Sequence, residues 1–388
     1  MKKIIIVNNN LEIGGVQKSL CNLLWAIHGR YEVTLCLFRA SGAHLQEIPP
    51  DVKVVECGGF CKYLGTSQRT WKGVHKLVRG ALAATAKLVG RHTAMKLVLA
   101  GEKKLPGEYD CAIAFLHNGR RFNFYGGVQE FVLRRVKAKK KVAFLHCDYG
   151  QCGADEKSNN RLLERFDKIA ACSDGCRESM LQVLPHLAER TVTVRNFHRF
   201  DQIRALAQDN PVVYPQGMPH VVMVSRLSHE KGIERAMEAL AAAGQKGHPA
   251  QLHLVGGGGM EGTLRQRAQE LGVGEQVDFV GEQTNPYRYM ADADLFLMTS
   301  YHEAAPMVID EAVCLGVPVL TTRTTSSEEM VTARQCGWIC ENDQQALNQA
   351  FLDILSAPDT LNEMKNRLKG SCIDNCLALE QFTALIEG

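Results

Sequence analysis

The sequence predicts an α/β protein of two domains, each a parallel sheet with helices on both faces. Three observations predict it. The chain has 388 residues, 45% hydrophobic and 22% charged, enough for two sizeable cores. Short apolar runs of strand type alternate with amphipathic helical runs, the pattern of βα units. Residues 201–218, with Pro211, Pro215 and Gly217 and then Pro219, are polar and read as a linker. The expected division is 1–200, linker 201–218, a second domain 219–365, and a helical tail 366–388.

The totals exclude several classes. Residues 1–3 lead straight into I-I-I-V, too short for the core of a signal peptide, and no apolar run reaches transmembrane length. The fourteen cysteines are therefore expected as reduced thiols of a cytoplasmic protein. Four pairs have the spacing Cys-x3-Cys (Cys57/Cys61, Cys172/Cys176, Cys336/Cys340, Cys372/Cys376), without the C-x2-C and His pattern of a zinc site, so no metal is expected. The net charge of +3 hides an asymmetry: residues 1–200 carry 32 Lys and Arg against 17 Asp and Glu, the rest 13 against 25. The first half is expected to face something anionic.

Residues 3–7 form a buried-strand pattern. A loop with Gly14 and Gly15 follows, then a helix over about 16–27. Such a strand, glycine loop and helix suit close approach to a phosphate or sugar, although G-x-G-x-x-G is absent. Y-E-V-T-L-C-L-F and V-K-V-V-E-C read as the next strands. Residues 69–104 are the most basic stretch: Arg69, Lys72, Lys76, Arg79, Lys87 and Arg91 share about a third of a helical wheel. Trp71, Val74, Leu77, Val78, Leu82, Leu88, Val89 and Met95 lie opposite. This is either a core-packed helix with a solvated basic side or a surface for an anionic membrane. No binding module or aromatic interleaving supports nucleic acid.

Y-D-C-A-I-A-F-L-H ends a strand at His117, and K-V-A-F-L-H-C-D-Y ends one at His146 and Asp148. Strand carboxyl ends are where ligands of open α/β sheets bind. His146 is the first candidate and His117 the second; a structural histidine is the alternative for each. The second domain opens with H-V-V-M-V-S-R-L-S-H-E-K-G, a strand running into a loop with Arg226 and Lys231. Then come the strand Q-L-H-L-V with Gly256, Gly257, Gly258 and Gly259, and the strand V-D-F-V with Gly281 and Glu282. Asp292 and Asp294 precede L-F-L-M-T and read as structural rather than metal-binding. In S-Y-H-E-A-A-P-M-V-I-D-E-A, Glu303 and Glu311 stand eight residues apart. Pro306 suits the first position of a helix, whose amino end favours an anion. V-P-V-L-T reads as the next strand.

The stretch around Glu303 and Glu311 resembles the Glu-x7-Glu signature of the family 4 retaining glycosyltransferases of the GT-B fold. Ala304 and Ala305 stand where that family often has Gly and Phe, which leaves sugar identity open. S-R-L-S-H-E-K-G is similar to the family's G-R-L-x-x-x-K-G, with Ser225 for the first Gly. The resemblance implies two Rossmann-like doubly wound domains facing a cleft, the first for acceptor, the second for nucleotide sugar, and a C-terminal helix crossing back to the first domain. By position it implies donor contacts from Gly14, Gly15, Gly256, Glu282, Ala305, Pro306, Met307 and Val308. Glu303 would orient the sugar, Glu311 would bind ribose, and His146 would lie near the transfer centre. Arg226 and Lys231 would neutralise the diphosphate, a fork and a point charge at a developing negative charge.

The implied reaction is transfer of a hexose, with retention and without a cofactor, from a nucleotide sugar, UDP ahead of GDP. The acceptor would be lipid-linked or a surface polysaccharide, the setting the cytoplasm or the inner face of the plasma membrane. An epimerase or isomerase of the same fold and a non-catalytic partner subunit are the alternatives.

Overall fold

The apolar runs of the central strands are buried on both faces, as a parallel sheet between two helix layers requires, while the edge strand Lys53–Glu56 stays largely exposed. The computed structural model describes residues 1–64, 66 and 70–388, and divides into two units, Met1–Phe197 with Asn375–Gly388 and His198–Asp374. The first unit contains β1 (Lys3–Asn8), β2 (Glu32–Leu37), β3 (Lys53–Glu56), β4 (Tyr109–Ala114), β5 (Ala138–Leu145), β6 (Lys168–Ala171) and β7 (Thr191–Thr193). They pair in parallel in the order β3-β2-β1-β4-β5-β6-β7. Val7 on β1 faces Cys36 on one side and Ala114 on the other.

The second unit contains β8 (His220–Val224), β9 (Gln251–Val255), β10 (Val277–Gly281), β11 (Leu295–Met298), β12 (Val319–Thr322) and β13 (Gly337–Cys340). Their order is β10-β9-β8-β11-β12-β13, again parallel. Each order reverses once, between β1 and β4 and between β8 and β11. At such a reversal the helices leave on opposite faces, and the loops at the strand carboxyl ends part to leave a crevice. The expected α/β class of two Rossmann-like sheets is the one found.

Three local readings change. The proposed linker contains the helix Phe200–Gln208, whose Phe200, Ile203 and Ala207 are buried in the second unit with Tyr287 and Met290. In the sequence its apolar spacing is overridden by Pro211, Pro215 and Pro219, which follow it. The tail splits at Asn375. The helix Pro358–Lys369 stays with the second unit, and the helix Cys376–Glu387 packs on the first. There Phe382 meets Phe197 and Tyr31 edge-on, and the Nζ of Lys140 donates to the Leu385 carbonyl (2.7 Å) near the helix end.

The basic stretch is broken by Gly90 (φ 88°) into the helices Gly73–Val89 and Arg91–Ala100. Arg91 is not on a solvated face. It is buried, paired with Glu130 (2.8 Å) and donating to Asn159 (2.6 Å). Arg79 turns inward to the Thr66 carbonyl (2.7 Å). Val74, Leu77 and Leu88 are exposed instead. Arg69 lies outside the described residues.

Candidate active site

In the second unit the loops after β8 and β11 are bound to each other at the sheet's reversal. Gly232 ends the first loop at φ 61°, and a Cβ there would come within 2.2 Å of the Thr299 carbonyl oxygen. Only glycine permits that approach. Across it, Thr299 Oγ1 donates to the carbonyls of Lys231 (3.1 Å) and Gly232 (2.8 Å). The result brings Lys231 Nζ to 2.6 Å from Glu303 Oε1, which also accepts from Ser300 Oγ (2.7 Å). The side chains of Lys231 and Glu303 keep 21% and 14% of their exposure, so the pair is sheltered but not sealed.

Arg226, on the same loop as Lys231, points outward. Its side chain is 76% exposed and pairs with Glu230 (3.1 Å). Pro306 caps the helix Met307–Cys314 from just outside, one position before the expected one, because its ψ of 114° is extended. Met307 and Val308 open the helix, and Ala305 and Val308 pack partly against the core. Glu311, a turn inside, is buried and accepts from the Tyr287 hydroxyl (3.2 Å). Beside it Asp310 pairs with Arg334 and with His198 (2.9 Å). Burial would raise the Asp310 carboxyl; His198 and Arg334 outweigh it and hold it down at about 2.

The glycine run after β9 has a geometric cause. Gly256 sits at φ 143°, where a Cβ would be 1.9 Å from the Ser225 carbonyl oxygen. A Cβ at Gly257 would lie 3.4 Å from the Glu282 Cβ, after β10. The loops after β8, β9 and β10 therefore lie together at the carboxyl edge. Asp292 accepts the Tyr214 N–H (2.9 Å), and Asp294 accepts the His220 N–H (2.9 Å) and the Lys365 ammonium (2.9 Å). Both are engaged in holding the fold.

Several residues here went unread in the sequence. Arg235, one turn into the helix Ile233–Gln245, is buried. It donates to Asn342 (2.6 Å) and to the Thr299 carbonyl (3.4 Å), and lies over the Tyr301 ring (4.8 Å). It braces the strand end that leads to Glu303. Its spacing of four from Lys231 was the available signal. Ser300 and Tyr287 carried none, since their partners are set by the fold.

In the first unit, Gly14 is the N-cap of the helix Gly15–Ala26, with extended backbone, and the space a side chain would take at Gly15 is open for 4 Å. His146 follows β5 and packs its ring on Phe115 (4.6 Å). Burial, helped by His117, pushes the His146 imidazole down to about 3, against a backbone hydrogen bond to Phe115 that acts the other way. Burial takes His117 down to about 4. Both rings are neutral at pH 7. Asp148 accepts from the Gln151 N–H (3.1 Å) and from Ser179. Among the described residues no group of three or more His, Cys, Asp and Glu side chains is placed to hold a metal ion.

Comparison with known proteins places the second unit beside glycosyltransferases. Residues 207–370 match the family model "Glycosyl transferases group 1". A GDP-mannose-dependent alpha-(1-6)-phosphatidylinositol dimannoside mannosyltransferase of Mycobacterium tuberculosis is 32% identical over 142 residues, 36% of each chain. The lipopolysaccharide glucosyltransferase WaaG of Escherichia coli is 32% identical over 128 residues, 32% of this chain and 34% of that one. The matches thus span about a third of these relatives. HepE of Anabaena, solved in complex with UDP and glucose, is similar over 100% of both chains with a TM-score of 0.68 at 20% identity, a likeness of fold. Residues 207–370 thus match the glycosyl transferases group 1 model, on a chain whose fold is the GT-B fold of solved glycosyltransferases.

Proposed function

We propose that the chain is a glycosyltransferase that moves a hexose from a nucleotide-diphosphate sugar to an acceptor, with retention. The observation that carries this is the 2.6 Å contact of Lys231 with Glu303 between the loops after β8 and β11. A cation beside a carboxylate at a sheet reversal can hold a diphosphate next to a sugar. Lys231 and Arg226 take the diphosphate, Arg226 by swinging from Glu230. Glu303 orients the hexose and Glu311 the ribose. Gly14, Gly15, Gly256, Glu282 and the run Ala305, Pro306, Met307, Val308 complete the donor contacts, and neutral His146 hydrogen-bonds the sugar.

The bond from the sugar C1 to the phosphate oxygen breaks, its electron pair leaving with the phosphate. The acceptor oxygen attacks C1 on the same face, and the departing phosphate oxygen takes the acceptor proton. The loop cations stabilise the charge that grows there, and this reading calls for no cofactor. We take a UDP-sugar ahead of a GDP-sugar, since HepE holds UDP, although the mycobacterial relative is GDP-mannose-dependent. The names of the relatives favour a lipid-linked or surface-polysaccharide acceptor, hence work at the inner face of a membrane.

Lys231→Ala is expected to lower turnover by about 100-fold or more while the circular dichroism spectrum stays the same. Unchanged turnover would end the reading. A thermal-shift panel of nucleotide sugars should raise the melting temperature with one donor above the rest.

A further inference from the structure

Large apolar side chains arranged in a stripe are ordinarily covered by a neighbour. The helix Gly73–Val89 breaks that rule on one face. Val74, Leu77, Ala81, Ala84 and Leu88 recur at alternating spacings of three and four, one stripe of a helix, and all are exposed. The large ones are nearly bare: Val74 73%, Leu77 74% and Leu88 81%. The opposite face, with Val78, Leu82 and Ala86, packs on the core that holds Tyr63 and Phe124. Val89 is exposed as well, as is Leu97 on the helix Arg91–Ala100.

Lysines border the stripe. Lys72, Lys76, Lys87 and Lys96 are all exposed. The Arg91 N–H donates to the Arg121 carbonyl (2.6 Å), which brings exposed Arg121 and Phe122 beside the break between the helices. Glu102 is the one acidic residue of 70–104, and it is buried, accepting the Cys61 N–H (2.8 Å). The outward face of this hairpin is therefore apolar and cationic, with no carboxylate of its own; beside it the Glu156 carboxylate accepts from the Arg121 N–H.

We infer that the outward face of the helix Gly73–Val89 is a seat on an anionic lipid surface, with Val74, Leu77 and Leu88 entering the acyl boundary and Lys72, Lys76 and Lys87 meeting the headgroups. The helix, about 25 Å long, lies in the interface plane rather than crossing it. No helix of the described residues is long and apolar enough to cross a membrane. A second copy is the poorer occupant. Two heptads with alanine at both central positions make a weak coiled-coil seam, and the lysines on one flank would repel their own copies. The inference supplies a contact surface for the membrane setting proposed above and needs none of its transfer chemistry.

The test is sedimentation with vesicles of phosphatidylcholine containing phosphatidylglycerol, at low salt and without any nucleotide sugar, so a failed transferase reading leaves it intact. Wild type is expected in the pellet, with less on pure phosphatidylcholine. Leu77→Glu with Leu88→Glu is expected to lose about tenfold in binding with an unchanged melting temperature, both sites being exposed. Leu77→Trp is expected to gain fluorescence that brominated lipid quenches. Wild type remaining in the supernatant, undiminished binding of the double glutamate variant, or an unquenched Trp would each overturn the inference. A dimer without vesicles, abolished by the same double variant, would give the stripe to a second copy instead.

Discussion

Asp310 shows how a single residue next to the site ties it to the fold. Its carboxyl is held at about 2, below the ordinary value of 3.8, by His198 and Arg334 despite burial. A carboxyl depressed in the folded state contributes its full stability above the ordinary value and loses it as the pH falls towards about 2. The contribution is about 2 kcal/mol. Asp310→Asn should therefore lower stability at pH 7, and the gap from wild type should close between pH 4 and 2 in urea titrations. A gap that stays constant with pH would contradict the pairing. Asp310 was unread in the sequence, unlike Glu303 and Lys231. Those two lie in spaced motifs, whereas His198 and Arg334 stand far from Asp310 along the chain and only the fold unites them. Arg226 was legible as a loop cation, but its outward turn to Glu230 was not, because an exposed side chain is placed by local pairing.

At the scale of elements, the order of the strands in each sheet was not read from the sequence, while the strands were legible as apolar runs and the loops at their ends from glycines. Gly256 is the sharpest case. Gly256→Ala would drive a methyl into the Ser225 carbonyl, and is expected to cost about 2 kcal/mol or more. Gly259→Ala, with nothing within 4 Å, should cost far less. Equal melting temperatures for the two would refute the close approach of the loops after β8 and β9. The basic helix taught the opposite lesson. Of the apolar residues read as one side, Trp71, Val78, Leu82 and Met95 do meet the core, and Lys72, Lys76 and Lys87 are solvated as expected, but the rest of the wheel did not follow. Arg79 and Arg91 found partners inward, in Thr66 and Glu130, while Val74, Leu77, Leu88 and Val89 were left outside.

For the whole molecule, two-domain organisation was legible from length and βα alternation, while the boundaries were not. The helix Phe200–Gln208 runs into the proline-bearing stretch that follows it and reads with it as linker, and the tail divides at Asn375 because Phe382, Leu385 and Ile386 fit the first core. The second unit is one continuous stretch, so residues 198–374 expressed alone should fold with a cooperative melt. Residues 1–197 alone should not, unless a peptide of 375–388 is added, since Phe197 and Tyr31 lose their cover. A sharp melt of 1–197 without the peptide would show that the helix is dispensable. The same division sets a timetable during synthesis. The ribosome must make all of 198–374 before the helix that seals the first sheet emerges, roughly 10 to 35 seconds at about 5–20 residues per second. Throughout that interval the nascent amino-terminal body carries a bare greasy flank, and its escape from aggregation depends on chaperones or on how fast translation runs.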